Sequence, residues 1–305
     1  MNVAIVDLGT NTFNCCVVSI AGTSFQKLLD FNEFPRLGEG GVAYGFISSE
    51  AMQRGIESLA TIKKRIEPYN CETIKLIGTS ALRNAKNAQD FCSLAKEKFN
   101  FDIEIIQGEQ EAEYIFLGNN LAFDWHDKTA LILDIGGGSN ECIICQHNKI
   151  LWKHSFECGM QRIVSQFGLT HPTTKQTKQN IWNYLEENFS LLTEKIATYH
   201  IDMLIGSSGA FDVFRSIYFA QNELSKTDTA AEEIPISQFK DIVNYLADHT
   251  LDEIHAMRGM DLDRAPLLPI AGLIANFVVT RYNISKLMQS SYSLKEGVIH
   301  KLMNY

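Results

Sequence analysis

Two aspartates, Asp7 and Asp134, each close a short apolar run and are each followed, one residue on, by glycine and a turn of small or polar side chains. The segments read Val3-Ala4-Ile5-Val6-Asp7-Leu8-Gly9-Thr10-Asn11-Thr12 and Leu131-Ile132-Leu133-Asp134-Ile135-Gly136-Gly137-Gly138-Ser139. Both suit a divalent cation and a phosphate chain. Magnesium prefers carboxylate, water and phosphate oxygens, and free amides in a tight turn hold anionic oxygens. One such loop alone is explained well enough by an aspartate capping its own turn. Two of them predict a clamp closing on a phosphate chain from both sides, with Asp7 and Asp134 near a divalent cation. Gly9, Thr10, Asn11 and Thr12 would then face Gly136, Gly137, Gly138 and Ser139 across the phosphates.

Other residues could join them. Glu141 lies two positions after Ser139 on the returning strand, so the two side chains share a face, although plain solvent exposure explains an acid there equally well. Gly108-Glu109-Gln110-Glu111-Ala112-Glu113 opens a helix whose apolar side is Ala112, Ile115 and Phe116. Acids near a helix start suit its dipole. Glu111 differs in having Ile115 one turn further on, where partial burial would raise its pKa toward that of a working base. Arg83 sits near a helix start, where positive charge opposes the dipole; a phosphate gripped by its planar guanidinium would compensate. The turn Gly206-Ser207-Ser208-Gly209 between a strand and a helix would present further amides to an anion.

The elements that must position these residues follow from the repeat. The two aspartates are separated by about one small domain, so the chain reads as a tandem duplication. Each half starts with a strand-turn-strand hairpin and continues as alternating strand and helix, the pattern of mixed α/β domains. In the first half a strand near 25–34 and a Gly-rich loop at 38–45 precede a helix capped by Ser48 or Ser49, with Ile56, Leu59, Ile62 and Ile66 on one side. Strands at 74–78 and 103–106 flank the Arg83 helix, for which Thr79 and Ser80 are cap candidates. The second half predicts a strand near 150–154, one long helix over 173–199 and a strand at 203–206. A polar loop at 223–233, two more helices, a strand at 286–290 and a last helix at 294–303 complete it.

Composition excludes several classes. With 305 residues, 45% of them hydrophobic, the chain can bury a large core and exceeds one average domain. A net charge of −9 argues against broad nucleic-acid binding, which depends on neutralising phosphates. Asp7 interrupts the first apolar run too early for a signal peptide or membrane span, so a cytoplasmic protein is expected. Seven scattered cysteines predict reduced thiols. Cys142 and Cys145 form a Cys-x-x-Cys with no second pair at zinc spacing.

Taken together these segments resemble the exopolyphosphatase and guanosine pentaphosphate phosphohydrolase family, a branch of the sugar kinase, heat-shock ATPase and actin superfamily. The resemblance spans nearly the whole chain: residues 7–12 and 134–141 are similar to its two phosphate loops, 79–84 to its arginine segment, and 108–112 to the segment holding its catalytic glutamate. Weaker likenesses are Gly159 with Arg162, Asp263-Arg264-Ala265, and Lys295-Glu296-Gly297, which in the family usually begins with Arg. The family tends to Gly-Gly-Thr where this chain has Ser208-Gly209-Ala210, and the resemblance does not reach the extra helical domain of longer members.

The resemblance implies an α/β architecture, the duplicated actin-like ATPase (ribonuclease H-like) fold, with an interdomain cleft. Domain I would comprise residues 1–120 and 290–305, and domain II residues 121–289. It implies in-line attack of water on a terminal phosphorus of inorganic polyphosphate or guanosine pentaphosphate. Glu111 would be the base, Arg83 and the loops would hold phosphate, and Mg2+ or another divalent cation such as Mn2+ would bind at Asp134, with Asp7 and Glu141 assisting. Neither nucleic acid nor membrane is an expected partner, and a homodimer is one compatible assembly. A superfamily kinase acting on a small acceptor and a non-catalytic guanosine tetra- or pentaphosphate receptor are the alternative readings.

Overall fold

A computed structural model describes every residue except His126, Ser208, Lys226, Asp228 and Tyr305. In the first half, β1 (Asn2–Leu8), β2 (Phe13–Ala21) and β3 (Ser24–Glu33) form an antiparallel meander. After α1 (Ser49–Ile66), β4 (Thr73–Gly78) returns parallel to β1. After α2 (Ser80–Asn84) and α3 (Ala88–Phe99), β5 (Ile103–Ile105) adds parallel to β4, and α4 (Gly108–Ala122) leads onward.

The second half begins with the meander β6 (Ala130–Ile135), β7 (Asn140–Gln146) and β8 (Lys149–Phe156). The helices α5 (Met160–Phe167), α6 (Lys175–Asn188) and α7 (Ser190–Ile196) follow, and β9 (Met203–Ser207) then runs parallel to β6. Next come α8 (Gly209–Gln221), β10 (Ala231–Glu233), α9 (Ile236–Asp248), α10 (Leu251–His255) and α11 (Leu268–Arg281). β11 (Leu287–Ser290), parallel to β9, and α12 (Leu294–Met303) end the chain.

The sheets are ordered β3-β2-β1-β4-β5 and β10-β11-β9-β6-β7-β8. Read from β8, the second repeats the first in order and direction, with β10 added at the edge. This is the duplicated actin-like ATPase arrangement. The duplicated strands β1 and β6 lie inside their sheets and are covered on both faces, which is why Val3–Val6 and Leu131–Leu133 are uninterrupted apolar runs.

Several expectations need correction. The helix expected over 173–199 is two, α6 and α7, although no glycine or proline interrupts it. The break is at Phe189 (φ −91°, ψ 15°), whose fully buried ring packs edge-on against Phe156 at 4.9 Å. Packing the ring in the core outweighs a helical turn there. α5 was not anticipated, and three helices rather than two lie between β10 and β11, because a Thr250/Glu253 capping box makes the single turn of α10. The polar stretch after Glu223 ends in β10. Ser48, not Ser49, caps α1, accepting from the Ala51 amide. Thr79 does not cap α2; its Oγ1 donates to the Leu8 carbonyl.

Helices α4 and α12 pack together between the two sheets, in one core with Ile5, Ile77, Ile132 and Ile205. They touch backbone to backbone. A Cβ on Gly118 would lie 2.0 Å from the Ser293 oxygen, and one on Gly297 1.9 Å from the Tyr114 oxygen. Gly297→Ala is therefore expected to force the helices apart and destabilise the protein by about 1–3 kcal/mol. The effect should appear as a lower urea midpoint; an unchanged midpoint would show that the crossing can relax. All seven cysteines are free, and among the described residues no helix is long and apolar enough to cross a membrane.

Candidate active site

The two Asp-bearing hairpins end in the same turn. In the first, the Gly9 amide donates to the Thr12 carbonyl at 3.0 Å; in the second, Gly136 donates to Ser139 at 2.9 Å. A Cβ on either glycine would lie within 2.8 Å of that carbonyl oxygen, so only glycine closes the turn this tightly. Among the described residues no hydrogen bond engages the amides of Thr10, Asn11, Thr12, Gly137, Gly138 or Ser139. The carbonyls, by contrast, are held from behind. Thr10 and Asn11 accept from the amides of Gly38 and Arg36 at 2.8 and 3.0 Å, which gives the Gly-rich loop its role. Gly136, Gly137 and Gly138 accept from Met160, Gln161 and Gly159 at 3.0, 2.7 and 3.1 Å, satisfying the orphan amides at the start of α5. Carbonyls turned away leave each turn an amide-lined cup.

The cups face each other. A Cβ on Gly137 would stand 2.5 Å from the Asn11 Nδ2, and one on Gly138 2.7 Å from the Thr10 Oγ1 and 2.5 Å from the Ser80 Oγ. Between and around them lies a cavity of about 310 Å³ whose walls include Asp7, Glu111, Asp134 and Glu141. Register explains the carboxylates. Asp134 pairs directly with Glu141 across β6 and β7, as Asp7 pairs with Asn14 across β1 and β2. The Asn14 Nδ2 donates to Asp7 at 2.9 Å, the Ser155 Oγ to Glu141 at 2.6 Å, and the Ser293 Oγ to Asp134 at 2.5 Å. Glu111, on the first turn of α4, accepts from the Arg83 Nη1 at 2.7 Å.

Burial dominates the electrostatics. It pushes the Asp7 carboxyl up to about 7, with the charge of Asp134 adding to the rise and the Asn14 bond opposing it. Burial likewise takes Asp134 up to about 6, against the Ser293 bond, and Glu141 up to about 7, against the Ser155 bond. Glu111 is raised well above the ordinary carboxylate range by burial and by Glu141, with Arg83 pulling the other way.

Burial and mutual repulsion disfavour ionising all four carboxylates together, and a cation placed among them would favour it. Asp134, Asp7 and Glu141 offer the hard oxygen donors such a cation takes. Both polar atoms of the Asn11 side chain are buried without a partner beside the same turns, as fits a polar ligand. Among the described residues no three His, Cys, Asp or Glu side chains form a complete ligand cage.

Three predicted phosphate holders stand elsewhere. Gly206 is within β9, where a Cβ would strike the Phe211 ring at 2.1 Å; Ser207 pairs with Asp134 across the sheet, bonds its carboxylate from behind and donates its Oγ to the Tyr292 carbonyl at 3.2 Å. Neither lines the cavity; of that turn Gly209 does, and Ser208 lies outside the described residues. Arg83 is behind the wall. Besides Glu111 its guanidinium holds Glu157, Nη2 donating to Oε1 at 3.1 Å. Sequence reasoning missed Glu157, which also accepts from Ser80, Asn84 and Arg162 at 3.0, 2.8 and 2.9 Å and so ties the first half to the second. It missed Asn14, Ser155 and Ser293 as well. Asn14 was findable from hairpin register, and Ser293 from its capping box with Glu296.

A family model described as the Ppx/GppA phosphatase family matches residues 16–305. The chain belongs to that family. A guanosine-5'-triphosphate,3'-diphosphate pyrophosphatase of Photobacterium profundum is 27% identical over 99% of this chain and 59% of its own length, so this chain spans under two thirds of that relative. Among solved structures, an exopolyphosphatase from Cytophaga hutchinsonii is 31% identical with a TM-score of 0.96, covering 100% of this chain and 98% of that one. The Aquifex aeolicus PPX-GPPA enzyme shares the fold at a TM-score of 0.78 and 22% identity, over 99% of each chain. The Ppx/GppA model begins after Asp7 and the first turn, whereas the Cytophaga structure superposes on them too.

Proposed function

We propose that the cleft hydrolyses the terminal phosphoanhydride of inorganic polyphosphate or guanosine pentaphosphate, in the presence of Mg2+ or Mn2+. The observation carrying this reading is the pair of identically closed turns presenting free amides to each other across one carboxylate-lined cavity. Such a clamp is preorganised for the oxygens of a transferring phosphoryl group.

In this reading Glu111 orients a water and takes its proton as the new oxygen–phosphorus bond forms and the bond to the leaving phosphate breaks. Arg83 acts on Glu111, fixing one carboxylate oxygen so that the other is directed at the water. The turns hold the phosphoryl oxygens and keep the terminal phosphorus in line with the attacking water. Asp134 and Asp7, with Glu141, would hold the divalent cation, which supplies charge neutralisation on the bridging and leaving oxygens.

The test is phosphate release from polyphosphate and from guanosine pentaphosphate, each with and without magnesium. Release that requires the cation supports the proposal. Tight binding of guanosine pentaphosphate with no release from either substrate would replace it by the receptor reading, and nucleoside diphosphate formed only with an acceptor present by the kinase reading.

A further inference from the structure

A second cavity, of about 620 Å³, adjoins the cleft, and Asn14, Arg264 and Lys295 line both. It lies where β3 and the start of α12 approach α8, and its walls carry four cations, Lys27, Arg215, Arg264 and Lys295, against two carboxylates, Asp30 and Asp212.

The cations are not equally engaged. Lys27 and Lys295 share Asp30, at 2.9 and 2.7 Å, and Lys27 also pairs with Glu296 at 2.8 Å. Arg264 pairs with Asp261 at 2.6 Å. Arg215 has no ion pair among the described residues. Its guanidinium donates only to neutral groups, Gln289 Oε1 at 3.3 Å, Ser291 Oγ at 3.2 Å and the Thr227 carbonyl at 3.4 Å. Asp212, one turn earlier on α8, and Glu232 lie near enough to feel its charge, but neither bonds the guanidinium, so the three bonds hold the head group in place and leave it able to take an anion.

We infer that this second cavity seats the inner phosphates of a linear polyphosphate whose terminal phosphate occupies the cleft, with Arg215 as their principal charged contact. The inference rests on the reading of the cleft under Proposed function and adds a preference to it. A path runs from Asp7 through Asn14, which bonds it, and past Lys295 and Arg264 to Arg215. It suits a ligand carrying charge at every repeat, and a long chain would engage its far end more fully than a triphosphate.

The experiment compares kcat/KM for tripolyphosphate and for a chain many phosphates long. Arg215→Ala is expected to lower the long-to-short ratio about tenfold, through KM, the effect of losing one charge-assisted contact. Ala220→Glu, on the same helix and cavity wall, leaves the Arg215 bonds in place and should lower the ratio in the same direction by repulsion. A second arm reads binding without turnover. In a Glu111→Gln background, direct titration with the long chain should show weaker binding when Arg215→Ala is added, so the seat is read even if the parent releases no phosphate. Equal effects on both chain lengths, unchanged binding in the titration, or a larger KM rise for guanosine pentaphosphate than for long polyphosphate would each overturn the inference.

Discussion

Glu111→Gln is expected to reduce kcat for phosphate release by about 10²–10⁴-fold, the range for loss of a positioned general base. The substitution is nearly isosteric. An amide oxygen can still accept from the Arg83 Nη1, which now bonds the carboxylate at 2.7 Å, so the side chain should stay in place while losing its basicity. Glu111 is only 8% exposed and raised by burial, so removing its charge also removes a desolvation cost, and the fold should not suffer. A variant that binds polyphosphate as tightly as the parent and retains full kcat would eliminate Glu111 as the base. Lost binding together with lost kcat would instead point to a misassembled cleft.

Asp134→Asn should cost more than about a hundredfold in metal-supported activity, since a bound cation contributes several kcal/mol to stabilising the transferring phosphate. The same carboxylates would make binding of the proposed cation visible in stability. Asp7, Asp134 and Glu141 are raised from 3.8, 3.8 and 4.5 to about 7, 6 and 7, so the folded protein holds protons that the unfolded chain releases. Their contribution is fully present below the unfolded values and is lost as pH rises through 6 to 7. His171, lowered by burial, opposes them in that window, while Glu111 and Asp212, also raised by burial, act in their sense. The metal-free protein is therefore expected to lose at least about 5 °C of melting temperature between pH 5 and 8. Magnesium should restore it increasingly with pH, and less so in Asp134→Asn. A melting temperature that rises with pH in chelator would contradict this account.

Much of the site could be read from the chain because its central feature is written twice. Asp7-Leu8-Gly9 and Asp134-Ile135-Gly136 announce the same closed turn, and the flanking apolar runs announce strands covered on both faces. Comparing the repeats at Asn14 and Glu141 adds something that neither shows alone: the first hairpin has an amide where the second has an acid, so the extra charge is on one wall only. What stayed hidden depends on distant contacts. Ser293 reaches Asp134 across 159 positions, and Glu157 meets Arg83 across 74. Local spacing carries no trace of either. Gly206 and Ser207 show the opposite limit: a glycine-serine run marks close packing as readily as a turn, and here Gly206 accommodates the Phe211 ring while Ser207 lies beside Asp134. Phe189 shows the same limit in the fold, because helical periodicity continues past a residue that the core pulls out of line.

The contact of Gly118 with Ser293 and of Gly297 with Tyr114 has mechanical meaning as well. Two rods touching along bare main chain make a close crossing point, flanked by Ile115, Leu294 and Val298 in one core. Glu111 rides on one rod about two turns away, some 10 Å of lever arm. A change of about ten degrees at that crossing, as a larger residue at either glycine would impose, displaces the carboxylate by about 2 Å, enough to spoil its alignment. The aim of the base would then be set by two glycines that never meet the substrate.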